Sequence, residues 1–147
     1  MAANSLHSPA SRSVEVRGTI ALALLGAWTI VIPYLGRALG LEVKVPARVE
    51  VVDHVIPGAL VAMAALYLIM LARRTSLAGA QTALLAGGVC FLAGFWVLST
   101  HVPLLADAAG SSSASWAAAL WHSSTAVPIV VLALWFVLRS SSADPGR

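Results

Sequence analysis

Hydrophobic residues in this chain run in long blocks, and polar residues gather in short segments between them. Four stretches contain no Asp, Glu, Lys or Arg: Gly18–Gly36, His54–Ala72, Thr75–Ala106 and Ala108–Leu138. A helix rises about 1.5 Å per residue, so roughly 20 apolar residues cross a hydrocarbon core of about 30 Å. The pattern predicts spanning helices over about 18–38, 47–72, 77–101 and 115–138. Pro46 suits a first helical position. Arg73–Ser76 reads as a tight turn, and Gly110-Ser-Ser-Ser113 has a flexible composition. Residues 1–17 read as a disordered polar tail and residues 139–147 as a second tail. The expected architecture is all-α: a polytopic membrane protein whose single domain, 18–138, is a four-transmembrane-helix bundle.

Composition agrees. The chain is 59% hydrophobic and 10% charged, against about 25% charged in ordinary soluble domains. Four wholly buried helices in so small a chain would leave too little to cover them. The first block exceeds a signal-peptide core of about 7–15 residues and no A-x-A site follows, so it reads as a retained helix. Cys90 is the only cysteine, which excludes an intramolecular disulfide. The net charge of +3 is not gathered in one dense patch, so nucleic acid is not an expected partner.

Charge also orients the spans. Arg12, Arg17, Arg73, Arg74, Arg139 and Arg147 fall on one side, and Arg37, Lys44 and Arg48 on the other. The positive-inside rule then places both termini in the cytoplasm of a cell with a plasma (inner) membrane. Gly36 and Gly40 form a small-xxx-small pair, which serves packing within the chain or a homo-oligomer or larger membrane complex.

The helices also carry a weak internal repeat. Gly26-Ala-Trp28 in the first recurs as Gly94-Phe-Trp96 in the third, and His54 followed by Pro57 recurs as His122 followed by Pro128. Two tandem two-helix units would share one orientation in the membrane. The segments Gly26-Ala-Trp-Thr-Ile-Val-Ile-Pro33 and Gly94-Phe-Trp-Val-Leu-Ser-Thr-His-Val-Pro103 resemble those of small bacterial SPW-repeat membrane proteins. The resemblance implies a duplicated two-helix architecture and no particular activity.

Histidines supply most of the candidate chemistry. Ionisable groups near membrane depth raise a functional hypothesis, and histidine is both a metal ligand and a proton switch. His54 and His122 fall just inside the outer boundary of the spans, with His101 expected at the rim. Helical stripes of mostly small residues run through each: His54, Gly58, Val61, Ala62 and Ala65; Gly87, Cys90, Gly94 and His101; Ala118, His122, Ala126, Ile129 and Ala133. Membrane helices approach one another through small residues, which turns the histidines inward.

Several functions compete. A structural or accessory membrane protein without catalytic activity is the leading reading. No P-loop, nucleophile elbow or paired carboxylate appears. The main alternative is a cofactor-binding subunit. Haem b would take His54 and His122 as axial ligands, with room at Gly58 and Ala126 and with Arg48 or Lys44 on the propionates. A transition metal would take His54, His101 and His122 plus water or Asp53, although Asp53 also suits pairing with Arg48. The third reading is proton or solute transport. Pro33, Pro57 and Pro128 free the carbonyls of Thr29, Asp53 and Ser124, but kinked packing and local back-bonding explain them as well. Trp116, Trp121 and Trp135 read as belt or packing residues, and Cys90, Met63 and Met70 as core filling.

Overall fold

The computed structural model describes residues 9–71, 78–110 and 113–142. Residues 1–8, the Arg73–Ser76 turn, residues 111–112 and residues 143–147 lie outside the described residues. Four helical spans are long and apolar enough to cross a membrane: Glu15–Ala38, Ala47–Leu71, Gln81–Ala109 and Ser115–Arg139. The chain is therefore an all-α, multi-pass membrane protein built as a four-helix bundle.

Helix α1 (Pro9–Ala38) starts within the segment expected to be a disordered tail, because proline is well suited to a first helical turn. It ends in a Schellman motif. Gly40 takes φ +70°, Leu41 N–H reaches the Gly36 carbonyl at 2.8 Å, and Gly40 N–H reaches the Arg37 carbonyl at 3.3 Å. The Gly36 and Gly40 pair is thus used within the chain. A Cβ on Gly36 would lie 2.9 Å from the Trp121 indole nitrogen, so the missing side chain makes room for that ring.

The second span has three parts: α2 (Ala47–Glu50), a π-helical turn (Val51–Val55) and α3 (Ile56–Leu71). Pro57 is the physical reason. It has no N–H for the Asp53 carbonyl, and the ladder widens just before it, with Ile56 N–H bonding the Val51 carbonyl five residues back. The third span, α4 (Ala78–Ala109), passes through Pro103 and continues well beyond the expected end at 101. Proline removes one ladder bond there without stopping the helix, as membrane helices tolerate. The fourth span breaks into α5 (Ser113–Ser123) and α6 (Ala126–Ser142), the break falling just before Pro128.

Helix α1 packs along α3, α4 packs along α6, and α3 meets α4 across the bundle. Backbones touch where α1 crosses α3. A Cβ on Gly26 would stand 2.6 Å from the Ala62 nitrogen, and one on Gly58 would stand 2.7 Å from the Gly26 carbonyl oxygen. Between α4 and α6, Gly94 instead makes room for the side chains of Ile129 and Val130. The core is Leu22, Val61, Ala65, Cys90, Ala93, Ile129, Ala133 and Phe136. The outside is equally apolar, with Leu24, Leu85 and Leu92 exposed by 65%, 72% and 67%. Such a surface requires an apolar surrounding. Met63 and Met70 belong to it, correcting their assignment to the core; Cys90 is buried as expected.

Candidate metal centre

His54, His101 and His122 come from three different spans and meet at one level. Each is almost wholly buried, at 4%, 4% and 3% exposure. The inward stripes account for this. Gly58, Val61 and Ala65 are buried with His54; Gly87, Cys90 and Gly94 with His101; Ala126, Ile129 and Ala133 with His122. His101 was expected at the rim. Because α4 continues to Ala109, His101 instead stands about two turns inside the end of its span, level with the other two.

Each histidine sits beside a local departure from regular helix or is held by one backbone group. His54 lies within the π-helical turn, a feature common at functional sites. His122 lies near the end of α5, and the polar residues after it are satisfied locally. The Ser123 hydroxyl donates to the Ala119 carbonyl (2.7 Å), the Ser124 hydroxyl donates to the Trp121 carbonyl (2.8 Å), and Thr125 shares a buried hydrogen bond with Thr29 (2.9 Å). His101 Nδ1 lies 2.7 Å from the Val97 carbonyl. A carbonyl only accepts, so Nδ1 carries the proton and Nε2 keeps its lone pair for a ligand.

The rings are in mutual contact. His54 lies edge-on to His101 (centroids 4.8 Å, planes 89°) and to His122 (5.2 Å, 78°), and His101 runs nearly parallel to His122 at 6.5 Å. One donor atom from each ring falls within 4.8 Å of the others. His54 Nε2 and His122 Nδ1 are 3.4 Å apart, longer than a well-formed N–H hydrogen bond of about 2.9–3.0 Å. The remaining nitrogens, His54 Nδ1 and His122 Nε2, are buried and make no hydrogen bond of good geometry, the backbone of Glu50 and Leu41 being the nearest group to each ring.

A cavity of about 250 Å³ opens from the three rings toward the bundle end that carries residues 39–46. Glu50, Asp53, Thr100 and Asp107 contribute its polar wall, and Val43 and Val45 line it as well. Glu50 is buried and held by Arg37, whose Nη2 lies 3.1 and 3.2 Å from its two oxygens; Arg37 also approaches Glu42 at 3.6 Å. The expected pairing of Asp53 with Arg48 is not formed among the described residues. No sequence signal singled out Arg37 and Glu50, which meet only because the Schellman turn folds the chain back.

The space at Gly58, expected to admit a haem, is filled by the backbone of α1. Bis-histidine haem also needs ligand nitrogens about 4 Å apart across a flat gap, whereas the His54 and His122 rings meet edge to face. Trp121 serves packing, not an interfacial belt. Its indole N–H donates to the Ile32 carbonyl at 3.0 Å, and its ring lies edge-on to Trp28. Compared with family models, curated proteins and solved structures, the chain matches none of them.

Proposed function

We propose that this protein is an accessory membrane subunit that binds one divalent transition-metal ion through His54, His101 and His122. The observation that carries the reading is the convergence of three buried imidazole donors within 4.8 Å. Two nitrogens on a tetrahedral zinc, each at 2.0–2.1 Å, stand about 3.3–3.4 Å apart. His54 Nε2 and His122 Nδ1 already have that spacing at 3.4 Å. His101 supplies a further feature of metal sites, since its other nitrogen donates to a backbone carbonyl and fixes the tautomer. Imidazole with an oxygen donor suits zinc and its neighbours, while copper(I) prefers sulfur. The sole thiol, Cys90, lies deeper in the bundle and faces the Val61 carbonyl.

This reading departs from haem on the geometry of the rings, and from transport on the core beneath them. Val61, Val97 and Ile129, one to two turns deeper than the histidines, are completely buried, and the buried Thr29 and Thr125 hydroxyls there bond each other. Within the same proposal the protein resides in the plasma (inner) membrane with both termini cytoplasmic, as the arginine distribution favours. Kinship with SPW-repeat proteins rests on the Trp and Pro pattern and concerns architecture alone.

Elemental analysis of the detergent-purified chain, after growth with zinc, tests the reading. One metal per chain is expected in the wild type, and none when His54, His101 and His122 are all replaced by Ala. A metal-free wild type, or equal metal in both proteins, contradicts it.

A further inference from the structure

Resting on that metal-binding reading, we infer that the ion is exchangeable and enters through the acid-lined cavity, where Asp53 meets it before the histidines do. Three observations support this. The cavity reaches from the three rings to the exposed residues Val45 and Asp107, so the ion is not sealed in. In the opposite direction the path is closed by Val61, Val97 and Ile129. Entry and exit therefore share one mouth. The nitrogens that face each other, His54 Nε2 and His122 Nδ1, stand 3.4 Å apart, the spacing of two ligands on one ion, and both residues line the same cavity.

Asp53 is singled out among the carboxylates. Glu50 is committed to Arg37, and Asp107 stands at the exposed mouth, six residues beyond His101. Asp53 is half-buried, lines the cavity beside His54, and has no ion-pair partner among the described residues. Adjacent residues on an α-helix point about 100° apart, which would separate Asp53 from His54. The π-helical turn winds more widely, turning neighbours through a smaller angle, and both side chains line one cavity. Three neutral imidazoles and one carboxylate suit a divalent ion, because the oxygen offsets part of its charge. A negative entrance also raises the local cation concentration and the association rate.

Stopped-flow zinc association with the full chain, read by competition with a fluorescent chelator, tests the inference. Wild-type association should slow as ionic strength rises. Asp53→Asn should slow it about tenfold and flatten the salt dependence, with affinity lowered about 10- to 100-fold. Asp53→Glu should restore most of the rate, which a merely structural role would not predict. Unchanged rates in Asp53→Asn, or a wild-type rate insensitive to salt, would overturn the entry route while leaving the site intact. If the wild type binds no zinc, the metal-binding reading fails first and takes this inference with it.

Discussion

His101 shows how one residue's placement decides the character of the site. Its side chain is fixed by the Val97 carbonyl at 2.7 Å, and its position depends on α4 running past Pro103. Replacing any one of the three histidines by Ala should lower zinc affinity about 100-fold or more, since removing even an indirect partner of a metal ligand costs about 10- to 100-fold. Isothermal titration checks this. Acidification far enough to protonate the rings should release the ion, because a ligating nitrogen must be unprotonated. The inward direction of His54, His101 and His122 was legible from small residues at helical spacing. The depth of His101 was not, because Pro103 followed by polar residues reads locally as a helix end.

The helices are held by close backbone approach, and this makes their glycines unequal. A Cβ at Gly26 would press on backbone of α3 at 2.6–2.7 Å, which no side-chain rotation relieves. Gly26→Ala should destabilise the bundle by about 1–3 kcal/mol through overpacking. At Gly88 a Cβ meets nothing within 4 Å, so Gly88→Ala should be neutral or stabilise by about 0.5–1 kcal/mol through helix propensity. Thermal unfolding of both variants in one detergent checks the contrast, and equal melting temperatures would contradict the crossing at Gly26 and Gly58. The spans themselves were legible from charge-free length. The π-helical turn was not, although Pro57 signalled an interruption, because a missing N–H can be met by a kink, a break or a wider turn. The fourth span shows the second response, breaking at Ser124 and Thr125 before Pro128.

Among the described residues, an apolar exterior encloses a polar pocket displaced toward one end of the bundle. Four spans return the chain to the side on which it began, so reporters fused to the two termini should report the same compartment. Opposite compartments would require an odd number of crossings and contradict the fold. The bundle class follows from composition and block length, but the convergence of the three histidines depends on how α1 against α3 and α4 against α6 set the helix positions. Periodicity gives each residue's direction, not the distance between rings on separate helices. X-ray absorption spectroscopy of the zinc-loaded protein measures that convergence most directly. The account predicts three imidazole nitrogens at 2.0–2.1 Å with oxygen completing the shell; a sulfur ligand near 2.3 Å, or a shell of oxygen alone, would contradict it.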